Sequence, residues 1–413
     1  MPRHRSSRLL VAVLPAILAG CSGSQSLESG DADAYSDWAP PVDGLGPPGW
    51  RDSGTPWEPP ERVHCRDTGV EGVAFDVCAT DEGLFAVWSW SSPNIHEGSL
   101  DYRRFYTDVR FNDGGGWTPW LSAECHDSLS LTPGEPRAGC VARLHGYLDD
   151  RLLGRGWESM SPLKWVAPEG LTPVTEIPHP VYDPFIVRDD LAYAIWPGDD
   201  AKILQWDGTA WTPMDAILPY RDVWVLWADE TSLFVAGDRG TVLTLEAGAW
   251  RDIDLPSTAA VFSLWGFGAD DVWAGTNDGN LYRWDGATWT AMDWPRPEPG
   301  SGCSTGNSIV GMWGADGVLF LHTSFELVRW DGTSFEVLGS WPSEWITTDH
   351  GSACSGGLRI LRMDGYSPSE LFLGVVPDDP GDVIFEGPSV DDFDSCYAWP
   401  ILLWWDGATF HRL

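Results

Sequence analysis

Residues 281–293 read LYRWDGATWTAMD, and the phrase keeps returning. QWDGTAWTPMD ends at Asp215, RWDGTSFEVLG ends at Gly339 and WWDGATFHRL runs to Leu413; a weaker copy, LEAGAWRDID, ends at Asp254. A catalytic motif is normally written once, whereas a phrase repeated along a chain is a structural unit. Asp-Gly between apolar runs is a hairpin signal, because both central positions of the tight turn take φ > 0. WDGATW therefore reads as a turn between two antiparallel strands.

Working outward from that turn gives the unit. SLWGFGADDVWAGTNDGNLYRWDGATWTAMD (263–293) divides into four short strands, a to d, with WDG between c and d. Residues 223–254 and 309–339 match it, the second with Phe335 in place of tryptophan. Fainter copies occupy 73–120, 140–160 and 189–215, and ELFLGVV (370–376) with ILLWWDGATF (401–410) brackets an insertion. The marker aromatics are Trp117, Trp157, Trp211, Trp250, Trp289, Phe335 and Phe410, which counts seven units, the compact ones about 39 residues long. Four-stranded units at this period point to an all-β fold, a single β-propeller of seven four-stranded blades over 61–413. Blades are covered on both faces, which accommodates Trp404 beside Trp405 and places the 27 tryptophans between blades.

The DVWAxG…GxLxxWDGxxW pattern of 189–339 resembles tandem repeats of large exported lipoproteins from GC-rich Gram-negative bacteria, which are themselves expected to be propellers. Trp-Asp at the end of strand c is also similar to WD40 repeats, although the Gly-His of that family is missing. NDGGGWT (112–118) resembles the Asp-box of sialidase-like propellers, a structural hairpin without catalytic residues.

MPRHRSSR followed by the apolar run Leu9–Ala19 reads as a signal peptide over 1–20, since eleven residues cannot span a bilayer that needs roughly 20. Leu18-Ala19-Gly20-Cys21 resembles a lipobox. The resemblance implies that Cys21 is acylated and anchors the chain in the lipid bilayer, and Ser22 implies the outer membrane of a Gram-negative bacterium. Residues 21–60 then form the lipidated cysteine and a flexible tether reaching roughly 35 Å. Sixty-one acidic against 25 basic residues, a formal charge of −36, argue against a nucleic-acid partner.

Seven further cysteines, Cys65, Cys78, Cys125, Cys140, Cys303, Cys354 and Cys396, are disulfide candidates in an exported protein, with one left over by parity. His64-Cys65 and Cys125-His126 lack the spacing of a zinc site, and disulfides account for these cysteines better. No cofactor is implied. Calcium on DDPGD (378–382) or DDFD (391–394) is the one metal to weigh, against a solvated acidic loop. No P-loop, dinucleotide fingerprint or GxSxG is present.

The expected function is non-catalytic binding of a protein or glycan. Alternatives are a polysaccharide-acting glycoside hydrolase or lyase on a sialidase-like propeller, and an outer-membrane assembly scaffold. Apart from an a–b turn at Thr132–Ala138, the long insertions are Ser91–Arg103, Trp294–Ser308, Trp341–Gly357 and Pro377–Tyr397, all b–c or d–a connections. Those connections share one propeller face, where binding residues concentrate. The candidate site residues there are His96, Asp101, Tyr102, Trp341, Trp345, Asp378, Asp391 and Asp394, with a disulfide between two of Cys303, Cys354 and Cys396.

Overall fold

The structure is a computed structural model and describes residues 72–80, 82–91, 95–97, 100–128, 141–148, 151–155, 163–175, 177, 181–182, 184–196, 202–217, 222–246, 248–296, 308–324, 326–338, 358–377 and 401–413. Its strands form seven antiparallel sheets, each continuous in sequence. Blade 1 joins β1 (Gly72–Thr80), β2 (Gly83–Ser91), β4 (Leu100–Asn112) and β5 (Trp117–Ser128), with a short β3 (Ile95–Glu97) folded back on β4. Blade 2 holds β6 (Arg143–Leu148), β7 (Arg151–Arg155), β8 (Leu163–Ala167) and β9 (Gly170–Pro173). Blade 3 holds β10 (Phe185–Arg188), β11 (Leu191–Trp196), β12 (Lys202–Trp206) and β13 (Trp211–Ile217). Blade 4 holds β14 (Val223–Ala228), β15 (Leu233–Gly237), β16 (Val242–Glu246) and β17 (Ala249–Asp252).

Blade 5 holds β18 (Val261–Gly268), β19 (Asp271–Thr276), β20 (Leu281–Trp284) and β21 (Trp289–Met292). Blade 6 holds β22 (Gly311–Ala315), β23 (Val318–His322), β24 (Leu327–Trp330) and β25 (Phe335–Val337). Blade 7 holds β26 (Leu358–Ser367), β27 (Glu370–Pro377), β28 (Ile401–Trp405) and β29 (Phe410–Arg412). The first strand of each blade touches the first strand of the next, and β26 touches β1, so the ring closes as a seven-bladed propeller.

The repeated phrase builds the hairpins as expected, through a different turn. The aspartate stays out of the φ > 0 region and the glycine alone enters it, with φ of 90°, 88°, 93° and 94° at Gly208, Gly286, Gly332 and Gly407. The aspartate instead acts as an acceptor. Asp285 Oδ1 takes the N–H groups of Ala287 (2.9 Å) and Thr288 (2.7 Å), and Asp207, Asp331 and Asp406 do the same two and three residues ahead. These are four-residue Asx turns, not two-residue primed turns. The aromatics that flank them pack at a tilt across the hairpin, Trp284 against Trp289 at 5.5 Å and Trp330 against Phe335 at 4.5 Å between ring centroids.

Coverage on both sides is visible strand by strand. All five residues of β15 are buried, and Trp404 and Trp405 enter different clusters, one toward blade 1 and one toward blade 6. The Asp-box-like segment is a hairpin held by Asn112 Oδ1, which accepts from Gly114 N (2.9 Å) and Gly116 N (3.2 Å).

Two expectations are corrected. Trp157 is not a c–d marker: it falls between β7 and β8, outside the described residues, and the true hairpin is Pro168-Glu169-Gly170, with φ of 143° at Gly170. Thr132–Ala138 joins β5 to β6, so it is a d–a connection, not an a–b turn. Blade 1 keeps its four strands, and β3 adds a short edge segment along β4 beyond the end of β2.

Candidate ligand-binding face

Antiparallel order puts every a–b and c–d turn on one face and every b–c and d–a connection on the other. The first face is tightly trimmed, since none of its fourteen turns exceeds four residues. The opposite face carries the connections 129–142, 293–310, 338–357 and 378–400. They belong to blades 5, 6, 7 and 1, which are consecutive around the closed ring.

The predicted residues divide accordingly. His96 lies in β3 directly opposite Asp101 in β4, and Ile95 lies opposite Tyr102, so these three share one short hairpin on the long-connection face. The expected insertion Ser91–Arg103 shortens to 92–99, because Asp101 and Tyr102 already belong to β4. Trp341, Trp345, Asp378, Asp391 and Asp394 lie outside the described residues, as do Cys21, Cys65, Cys140, Cys303, Cys354 and Cys396. Cys125 sits in β5 opposite Phe105. Cys78 is corrected as a disulfide candidate: its thiol is free and buried among Phe85, Val87 and Leu144, with no second cysteine beside it among the described residues. Burial first, then Asp364 and Asp76, push that thiol well above its ordinary pKa, so it is no reactive thiolate.

Beside Cys78 runs a buried polar seam that joins blade 7 to blades 1 and 2. Asp76 is 4% exposed; its Oδ1 accepts from Val77 N at 3.0 Å and its Oδ2 from Leu144 N of blade 2 at 3.0 Å. Arg362 of blade 7 reaches Asp76 Oδ1 at 3.5 Å. Asp364, also on blade 7, accepts from Ala79 N of blade 1 at 2.8 Å and from Gly365 N at 2.9 Å. The indole of Trp313 in blade 6 donates to it as well. Burial outweighs these donors, and with the charge of Asp76 it raises the Asp364 pKa to about 7.

Close by, His322 is buried with Nδ1 2.9 Å from the Thr323 carbonyl, and burial lowers its pKa to about 4, assisted by Arg362. Each carboxylate has backbone donors from two blades, an arrangement that holds strands together. A hydrolase would instead aim its acid and base at a substrate. Motif reading missed this cluster. Its only sequence trace is an aspartate inside each apolar first strand, FDVC at 75–78 and RMDGY at 362–366.

No protein family and no curated protein match the chain. Solved structures similar to it include YCF48 from Cyanidioschyzon merolae, at 11% identity and a TM-score of 0.45 over 74% of this chain and 92% of that one. A structure of YCF48 bound to D1 peptide gives 10% identity and a TM-score of 0.44 over 74% and 91%. The WD40 β-propeller domain of Doa1 gives 14% identity and a TM-score of 0.37 over 63% and 95%.

Proposed function

We propose that this chain is a lipid-anchored, non-catalytic propeller that binds a basic protein segment on its long-connection face, at the outer membrane of a Gram-negative bacterium. The observation that supports it is the asymmetry of the two faces. Fourteen turns on one side have four residues or fewer, while on the other side the connections of consecutive blades run to as many as the 23 residues of 378–400. Chain retained on one face of a rigid ring is the usual setting of recognition. The formal charge of −36 favours a cationic partner and speeds its encounter. Cys21 in its lipobox-like context supplies the anchor, and 22–60 supplies the reach.

The full chain is expected to bind members of a Lys/Arg-rich peptide library, more weakly as salt rises. Replacing 378–400 with a four-residue turn is expected to lower that binding about tenfold while the melting transition is kept. Unchanged binding by the folded variant moves the site elsewhere, and binding to a glycan array but not to peptides overturns the choice of partner. Labelling with a palmitate analogue is expected to tag the chain and to disappear in Cys21→Ala; a labelled variant removes the anchor.

A further inference from the structure

In every blade but the second, the second strand carries an aromatic residue near its start, and the residue paired with it sets a common register along the first strand; in blade 5 the pair is Trp265 opposite Trp273. Three residues before that partner stand Phe75, Tyr182 and Leu361 in blades 1, 3 and 7. The same position holds Trp224, Phe262 and Val310 in blades 4, 5 and 6. Phe75, Tyr182 and Leu361 pack into clusters between blades. Trp224, Phe262 and Val310 enter none of the hydrophobic clusters, although they are equally apolar. Phe262 is 42% exposed and Val310 36%.

The backbone turns two of the three outward. Trp224 and Phe262 are each the extra residue of a β-bulge, where the pairing skips from Val223 to Val225 and from Val261 to Ser263. A bulge can re-aim the side chain it carries. The flanking Val223, Val261 and Ser263 stay buried. Trp224 is held in place by its indole N–H, which donates to the Val261 carbonyl of blade 5 at 3.1 Å. All three residues lie where the d–a connection enters the first strand, so they form an arc on the long-connection face, at the inner edge where first strands meet. Exposed carboxylates flank the arc. Asp222 precedes Val223, and Asp278 lies in the b–c turn of blade 5, which Asn277 ties to Ala260 by hydrogen bonds of 2.9 and 3.1 Å. Arg239, in the b–c turn of blade 4, is answered by Asp238 at 3.6 Å.

We infer that Trp224, Phe262 and Val310 form an apolar anchor point that takes one aromatic or aliphatic side chain from within the basic segment. The inference rests on the reading of the long-connection face as the binding face, and it adds what the segment must carry between its charges. Single exposed apolar residues are ordinary, but here one register position is exposed on three adjacent blades, which makes a continuous patch. The carboxylates beside it select a side chain with cationic neighbours. A second copy of this chain, at a formal charge of −36, would bring more of the same charge to the arc and be repelled.

The test is a fluorescence-anisotropy titration of the full chain, in a non-ionic detergent, with short Lys/Arg peptides of equal charge that carry one central Phe, Leu or Gly. The Phe and Leu peptides are expected to bind about tenfold more tightly than the Gly peptide. Phe262→Ser is expected to erase that preference with the melting transition kept, because the side chain belongs to no core cluster. Val337→Ser, at an exposed apolar residue on the outer strand of blade 6, is expected to leave the preference unchanged. Equal binding of all three peptides by the parent chain, or a preference that survives Phe262→Ser, overturns the anchor and leaves the binding face in place. An equal loss in Val337→Ser overturns it as well. Binding of none of the peptides removes the binding face and the anchor together. A dimer in sedimentation, or binding to phosphatidylcholine vesicles, that is lost in Phe262→Ser and comes without a peptide preference assigns the arc to a second copy or to lipid and overturns the proposal equally.

Discussion

Between blades 4 and 5 the packing is apolar: Trp227, Phe234, Ile253 and Leu255 meet Leu264, Tyr282 and Trp284. Between blades 7 and 1 an apolar layer is also present, with Phe75 and Trp88 against Phe372 and Trp404, but two buried carboxylates run beside it. The first seam joins two copies of the same phrase, so the residues of the repeat suffice. The second joins ends that are not sequence neighbours, and each described blade is built from one continuous segment, so no exchanged strand ties it. Apolar contact is non-directional, whereas a buried carboxylate is satisfied in one arrangement only. The comparison teaches that the repeat supplies the blades and that residues particular to the first strands of blades 1 and 7 specify where the ring closes.

The most severe test is Asp76→Ala. It strands the Leu144 N–H at a buried site and removes the ion pair with the partly exposed Arg362, at a cost of about 2–3 kcal/mol. Chemical denaturation of the full chain should show a clearly lower midpoint. A loss below about 1 kcal/mol would mean that the polar seam does not hold the closure.

Gly374→Leu comes next. A Cβ there would stand 2.4 Å from Phe75 Cδ1, so blades 7 and 1 must separate or Phe75 must leave its rotamer. Overpacking of this kind costs about 1–3 kcal/mol. Adding Phe75→Ala should restore part of the loss, because the two residues share one space. Strict additivity of the two changes would break the claim that they meet.

The pH dependence separates the closing seam from the others. Asp364 has its folded pKa raised from 3.8 to about 7, so its contribution is fully present below pH 3.8 and is lost as pH rises through about 7. His322 has its folded pKa lowered from 6.5 to about 4, so its contribution is fully present above pH 6.5 and is lost as pH falls through about 4. Between those limits the two slopes oppose each other, each about 1.4 kcal/mol per pH unit. Asp364→Asn should therefore gain stability relative to the parent as pH rises from 4 to 7. His322→Gln should gain as pH falls from 6.5 to 4. Parallel pH profiles for all three proteins would refute both assignments.

Blades 3 to 6 were legible because each contains the hairpin phrase or a close copy, and the turn residue is the part of a strand pair that composition constrains most. Blade 2 is displaced by one hairpin from the motif reading, because its c–d turn, Pro168-Glu169-Gly170, lacks the phrase and Trp157 imitates the marker. The same displacement moves Thr132–Ala138 from the a–b to the d–a connections, and so to the opposite face. The strand β3 carries three residues, too few for any period to show. The long-connection face followed from topology alone, whereas Asp76 and Asp364 were hidden among 61 acidic residues.

The smallest effect belongs to the hairpins and completes the contrast with the seam. Asp331 Oδ1 accepts from Thr333 N, Ser334 N and the Thr333 hydroxyl, and these donors lower its pKa to about 2 on the exposed face. Asp364 is the same residue type, buried, with its pKa moved the other way. The hairpin contribution is thus fully present above pH 3.8 and is lost as pH falls through about 2. Asp331→Ala should lower the melting temperature at pH 7 by less than either seam variant, and the gap to the parent should close near pH 2. Asp331→Asn keeps the Oδ1 acceptor and should recover most of the loss. The hairpins of Asp285 and Asp406 stand on other blades with no shared partner, so the effects of removing each should add. A loss at Asp331 as large as that of Asp76→Ala would mean that the turns, not the closing seam, limit the stability of the ring.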